Sequence, residues 1–213
     1  MSDMLFSLPA LIFLIPVYLL ISFLQLVFNK GDVFFVQQRI GYQNQSFNIV
    51  KFTTMKPGSA LRGPGMITLL NDSRKTRLGK FLRFFKLDEL PQLLLVLTGK
   101  MSLVGPRPLP EEIFSQYSDE VKSKIYTVRP GITGMGSLVF RNEEQYLFDH
   151  AENPKRYYEE IIAPAKGDVE LWYLNHRSLS TDFRILFLTG WYIVFPKSNL
   201  LYKVFHNLPS GIN

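Results

Sequence analysis

The chain opens on an apolar run. From Met4 to Phe28 no charged residue occurs, and Leu, Ile, Phe and Val dominate. A run of that length can cross a bilayer, which takes roughly 20 apolar residues. Pro9 and Pro16 lie inside it, and a mid-helix proline removes a backbone hydrogen bond and bends the helix. Pro16 stands near the middle, so two paths are open. Either a kinked helix spans the bilayer, or it bends enough to leave on the face where it came in. Hydropathy alone favours spanning. A cleaved signal peptide does not fit, because Asp3 stands where a basic lead is needed, the apolar core is too long and no small-x-small site precedes Asn29.

Beyond this run the periodicity changes. Residues 33–40 and 47–54 read as two strands, with the polar turn-like residues 41–46 between them, and so predict a hairpin. Residues 56–75 hold Pro57, Gly58, Gly63, Pro64, Gly65 and Asn71-Asp72-Ser73; connections this long are often binding or lid loops. The spacing predicts a helix over 78–87 with Phe81, Leu82, Phe84, Phe85 and Leu87 on its apolar side. Arg74, Arg77, Lys80, Arg83 and Lys86 recur every three residues along its flank. That pairing suits an interfacial helix and equally an ordinary surface helix.

Leu87-Asp88-Glu89-Leu90-Pro91-Gln92 comes next. Pro91 fits the first turn of a new helix running to Leu97 and ending at Gly99, which makes Asp88 its N-cap and puts Glu89 in the first turn. Pro110 with Glu111 and Glu112 marks another helix, to about Tyr126. Asn153-Pro154 starts a further one, which Pro164 breaks. Ser180-Thr181-Asp182 caps an apolar helix over 183–195, too short to span and, with Trp191, Tyr192 and Lys197 nearby, suited to an interface. There is no internal repeat and no low-complexity region. The fold class is α+β and mostly helical, with a membrane segment over residues 1–30 and a catalytic or binding body over 31–213.

Charge sharpens the picture. The 213 residues carry 24 Lys+Arg against 18 Asp+Glu, a formal net charge of +6. Nearly all of it lies after the apolar run, so the positive-inside rule keeps Lys30 and the basic body in the cytoplasm. The excess calls for an anionic partner: lipid head groups, phosphorylated substrates or nucleic acid. The membrane segment argues against nucleic acid. With no cysteine, disulfides, thiolate catalysis and Cys-based zinc sites are excluded. His150, His176 and His206 lack zinc-like spacing, Gly99-Lys100 lacks the glycines of a phosphate-binding loop, and no dinucleotide fingerprint occurs.

Two chemical features stand out. At a helix N-terminus Asp88 is held as a carboxylate, fit to be a plain cap, a nucleophile or a metal ligand. Gly105-Pro106-Arg107-Pro108 and Arg129-Pro130-Gly131-Ile132-Thr133-Gly134 lock Arg residues between rigid turns, and Arg141 stands apart. One such segment alone is a rigid turn with a solvated Arg. Two of them, a basic stripe and an acid pair together suggest a site for phosphate esters with a divalent metal.

These residues resemble a known family, the bacterial sugar transferases, or monotopic phosphoglycosyl transferases. The likeness runs in order through Val50-Lys51-Phe52, Leu78-Gly79-Lys80, Leu87-Asp88-Glu89-Leu90-Pro91-Gln92, Met101-Ser102-Leu103-Val104-Gly105-Pro106-Arg107-Pro108 and Arg129-Pro130-Gly131-Ile132-Thr133-Gly134. The resemblance implies transfer of a sugar 1-phosphate from a UDP-sugar to polyprenyl (undecaprenyl) phosphate, with Mg²⁺ required and UMP released. It implies Asp88 as the nucleophile that forms an aspartyl phosphosugar and Glu89 as its helper in metal or proton handling. Lys51 and Arg83 match positions that hold the dyad and phosphates, Arg107 the nucleotide side, and Arg141 a position near the donor. It also implies a reentrant helix broken at Pro16 in place of a spanning one, and a catalytic domain on the cytoplasmic face of the bacterial inner membrane.

The chain departs from the family pattern at Ile15, where many members carry Ser, at Thr53, where a second basic residue is common, and over 135–140. The N-terminus also lacks most of the basic lead often seen before Asp3. The sugar, the glycan pathway and homo-oligomerisation stay open. Two rival readings remain: a non-catalytic adaptor that binds anionic lipid, and a glycosyltransferase that releases UDP.

Overall fold

The computed structural model describes residues 2–28, 32–58, 72–149 and 152–209. The glycine–proline cluster at 63–65, Asn71, Lys30, the expected boundary at residue 30 and His150 lie outside the described residues. The protein is mostly helical, with two short two-stranded sheets, β1–β2 and β3–β4. Its chain divides into two compact units, Met1–Gln38 with Asn48–Leu103, and Arg39–Phe47 with Val104–Asn213.

In the first unit, α1 (Ser2–Phe28) stays helical on both sides of Pro9 and Pro16. A passage through the bilayer and a reentrant path therefore differ only in how far this helix bends, since it is not interrupted. Its two faces differ sharply. Ser7, Ile21 and Gln25 are buried, whereas Ile12, Phe13, Leu19, Leu20, Phe23 and Phe28 are exposed. Gln25 Nε2 donates to the carbonyl of Thr53 at 2.6 Å, Tyr18 Oη donates to the carbonyl of Leu90, and Ser102 bonds Asp3. The core around it joins Ile21, Phe52 and Leu82 with Val17, Tyr18, Val33, Leu78, Leu87 and Leu90.

The hairpin is as the alternation predicts, with β1 (Phe34–Ile40) and β2 (Ser46–Phe52) joined through Tyr42–Asn44. Gln43 and Asn44 take the left-handed conformation there, at φ 55° and 56°. Helix α2 (Arg77–Phe84) is capped by Thr76, whose side chain accepts from the Gly79 amide. It ends three residues earlier than the pattern predicts, because Lys86 turns to φ 58° and starts a 3₁₀ stretch, Leu87–Gln92. Gly79 lies against the Thr54 carbonyl, and a Cβ there would stand 2.1 Å from that oxygen. Only glycine lets α2 approach the end of the hairpin so closely. Helix α3 (Leu93–Leu97) packs along α1 and leads to β3 (Ser102–Val104).

The second unit corrects three boundary expectations. The helix expected from Pro110 to Tyr126 is two pieces, α4 (Glu111–Phe114) and α5 (Asp119–Lys124). Ser118 accepts from the Val121 amide and so starts a new helix in mid-segment, as a serine cap does. After β4 (Gly131–Thr133), α6 (Met135–Val139) and α7 (Glu143–Asp149), Asn153 caps α8 (Pro154–Tyr157) as predicted. Pro164 does not break the helical path: a π-helical stretch, Tyr158–Ile162, leads directly into α9 (Ala163–His176). The wide turn just before Pro164 accommodates its ring, and its missing N–H falls where the register changes. Helix α10 (Leu179–Val194) is capped by Ser178, two residues before the expected cluster, and α11 (Leu200–Val204) closes the unit. Its core includes Met135, Ile162, Val169, Tyr173, Ile185, Leu188 and Leu201.

Candidate active site

The first unit gathers four of the predicted site residues. Asp88 and Glu89 lie in the first turn of the 3₁₀ stretch and are both about 6% exposed. Lys51, on β2, reaches Glu89 Oε1 with its Nζ at 2.6 Å, and both side chains of the pair are largely buried. Arg83, on α2, donates from Nε to Thr54 Oγ1 at 2.9 Å. Lys51, Arg83 and Lys86 all act electrostatically on Asp88.

Two expectations about Asp88 are corrected here. It is not an N-cap: Lys86 holds the position before the turn, and no side chain caps it. Nor does the helix end keep it strongly anionic. Burial first, and the Glu89 charge second, push its titration above the usual carboxylate range, against the three cations. Burial of the carboxylate outweighs whatever the short 3₁₀ stretch contributes at its N-terminus. Asp88 is thus a buried acid in excess of the Lys51–Glu89 pair, with Arg83 and Lys86 also acting on it.

That excess bears on the expected Mg²⁺. Among the described residues no group of three His, Cys, Asp or Glu side chains could hold a metal by itself. Mg²⁺ commonly needs only one or two carboxylates, taking its other ligands from water and substrate phosphates. An adjacent pair of buried acids, only one of them held in an ion pair with Lys51, fits that requirement.

The second unit holds the other three Arg residues. Arg107 is half-buried, and its carbonyl accepts from Tyr126 Oη at 2.8 Å. The same oxygen of Tyr126 accepts from the Leu109 amide at 3.0 Å, so one phenol fixes both sides of the Arg107-Pro108 turn. Gly105 and Gly131 interlock beside it, through Gly105 N to Thr133 O at 3.0 Å and Gly131 N to Pro106 O at 2.9 Å. Arg129 is exposed. Arg141 makes internal contacts: its guanidinium stacks on Tyr192, 4.1 Å from the ring centroid, and donates to the carbonyls of Leu138 and Ser198.

Sequence reasoning missed Thr54, Tyr18 and Gln25, which orient the acid turn and its neighbours, and also Glu170, a buried acid of α9. Each is an ordinary residue in its local stretch and gains its role from partners far along the chain.

The family described as bacterial sugar transferase matches residues 1–196, and the chain belongs to it. It is a transferase, and the adaptor reading falls. Among its relatives, an exopolysaccharide production protein ExoY of Rhizobium meliloti is 37% identical over 158 residues, covering 68% of this chain and 70% of the relative. An uncharacterized sugar transferase EpsL of Bacillus subtilis is 35% identical over 190 residues, covering 87% and 83%. A UDP-N-acetylgalactosamine-undecaprenyl-phosphate N-acetylgalactosaminephosphotransferase of Aeromonas hydrophila is 37% identical over 189 residues, 88% of this chain but 41% of that longer protein.

Proposed function

We propose that this transferase moves a sugar 1-phosphate from a UDP-sugar to undecaprenyl phosphate, releasing UMP. The observation that carries the reading is the buried Asp88–Glu89 pair under three cations, in a chain related to proteins named for that transfer. In the proposed reaction a carboxylate oxygen of Asp88 attacks the phosphorus that bears the sugar. The bond from that phosphorus to the UMP oxygen breaks, and UMP leaves with the electron pair. A phosphate oxygen of undecaprenyl phosphate then attacks the same phosphorus, the bond to Asp88 breaks and the carboxylate is restored. Glu89 and Asp88 would hold Mg²⁺, which when bound neutralises charge on the phosphates. Lys51 holds Glu89 in place, and Arg83 and Lys86 supply positive charge along the Asp88 side. Arg107, Arg129 and Arg141 are assigned to the nucleotide and donor phosphates by family position.

The acceptor is a lipid, which accords with the exposed apolar face of α1 and the exposed Phe81 and Phe84 of α2, among its basic residues, with Phe85 just after it. In this reading α1 enters the cytoplasmic leaflet of the inner membrane, bends at Pro16 and returns. The body from residue 31 onward then lies at the cytoplasmic surface, in one membrane segment and one catalytic domain. Tags placed at residues 1 and 213 should both be protected from protease added on the periplasmic side. Cleavage of the N-terminal tag from that side would overturn the reentrant path.

The test of the reaction is a screen of UDP-sugars, beginning with UDP-glucose and UDP-N-acetylgalactosamine, for UMP release that depends on undecaprenyl phosphate and Mg²⁺. Release of UDP in its place would make the protein a glycosyltransferase and overturn the proposal.

A further inference from the structure

Glu170 lies in α9 and is 4% exposed. Its carboxylate accepts from the backbone N–H groups of Arg107 and Gly136. Those two residues sit on different pieces of chain, the Arg107-Pro108 turn and the start of α6. The contact with α6 is close: a Cβ on Gly136 would stand 2.3 Å from Glu170 Oε1. Arg107, Lys166, Tyr117, Tyr126 and Tyr173 act electrostatically with Glu170, and Lys166 is ion-paired to Glu143 and lies over the rings of Phe140 and Tyr158. The second oxygen, Oε2, is buried with no hydrogen-bond partner. A buried carboxylate that leaves an oxygen unused is costly, and simple core packing would be served better by an apolar residue of similar size.

We infer that Glu170 is a positioning residue: it clamps the Arg107 turn to the start of α6 through backbone donors and so sets where the Arg107 side chain meets the donor phosphates. The inference rests on the proposed role of Arg107 in donor binding. Three features make it specific. The clamp holds main chain, so it fixes the turn whatever the side chain of residue 107 does. It needs an acceptor oxygen and not a charge, because Oε2 bonds nothing. It also needs residue 136 to lack a side chain, because any Cβ there displaces the accepting oxygen.

The experiment compares the full-length wild type with E170A, E170Q, G136A and the E170A/G136A double variant, each checked for monodispersity in detergent. UMP release is measured from UDP-glucose and UDP-N-acetylgalactosamine at varied donor and saturating undecaprenyl phosphate. Hydrogen exchange at the Arg107 amide is followed on the same proteins. E170A and G136A should each raise the donor KM roughly tenfold while changing kcat by about twofold or less, as expected for a misplaced binding group. E170Q should restore wild-type KM, because its amide oxygen still accepts and its NH₂ replaces an oxygen that bonded nothing. G136A should add nothing on the E170A background, where the three atoms nearest to the methyl group are gone. Exchange at Arg107 should quicken in E170A and G136A and not in E170Q.

Unchanged exchange at Arg107 in E170A would overturn the clamp. So would a loss confined to kcat, failure of E170Q to rescue, or full additivity in the double variant. If the wild type releases no UMP from either donor, the proposed reaction fails for those sugars, and the exchange measurements still decide whether the clamp exists.

Discussion

Asp88 in the first unit and Glu170 in the second are both acids taken almost wholly out of water, and in both burial is the leading cause of a raised titration. Their surroundings differ. Around Asp88 the opposing influences are the charged side chains of Lys51, Arg83 and Lys86, and a second acid stands next to it. At Glu170 the largest opposing influence is the Arg107 backbone N–H, with the charges of Lys166 and Arg107 behind it. Side-chain charges can rearrange, so the balance at Asp88 shifts when a cation or a phosphate arrives. Peptide dipoles cannot leave their places, so the balance at Glu170 is part of the fold. In the proposed reading one acid reacts and the other holds.

Four measurements break or sharpen this contrast. The largest effect should come from D88N, which keeps the shape of the side chain but removes the attacking carboxylate. Turnover should fall by a factor on the order of 10⁴ or more, and no phosphosugar should be trapped on the protein. Full activity in D88N would end its role as nucleophile.

Next is K51M, which leaves Glu89 buried without its ion-pair partner. Removing one side of a buried pair typically costs about 3–5 kcal/mol, and the denaturation midpoint should drop accordingly. Adding E89Q to K51M should recover much of the loss, and no recovery would show that Lys51 acts through something other than Glu89.

The third concerns pH. The titration of Glu170 is pushed up to about 7 by burial, from an ordinary value near 4.5. The folded protein therefore binds this proton more tightly than the unfolded chain does. The stability it contributes is complete below pH about 4.5 and is lost as pH rises through 7. At about 1.4 kcal/mol per unit that amounts to about 3 kcal/mol. E170Q should flatten the corresponding slope of stability between pH 5 and 8, and an unchanged slope would assign the titration elsewhere. The smallest effect belongs to E120Q on α5, whose partner Lys124 lies on the open surface. Its denaturation midpoint should match that of the wild type, as expected for a solvated pair.

Much of the architecture was legible because local patterns carry it. The alternation at 33–40 and 47–54 dictates the hairpin, and Asn153 caps the helix that its sequence announces. The family was legible through its ordered motifs, the acid pair among them. The physical state of the pair was not, because Asp88 loses its cap role to a left-handed turn at Lys86, a conformation that nothing in Phe85-Lys86-Leu87 demands. The passage of helix through Pro164 depends on a widened turn that tertiary packing selects. Glu170 was invisible for a related reason. In Asp168-Val169-Glu170-Leu171 it reads as one more polar residue, and only the approach of Gly136 and Arg107 gives it a function.

The bonds that tie α1 into the first unit also set the order of its assembly. Its partners Thr53, Leu90 and Ser102 lie 28, 72 and 99 residues away from the groups they meet. On the ribosome α1 is therefore finished long before its buried face has anything to pack against. At synthesis rates of roughly 5–20 residues per second, the last of these partners, Ser102, follows Asp3 by an interval on the order of 5–20 s, and Thr53 follows Gln25 within the first few seconds. The first unit is thus built onto its first helix: α1 is made before the hairpin, the acid turn and β3 that later pack on it.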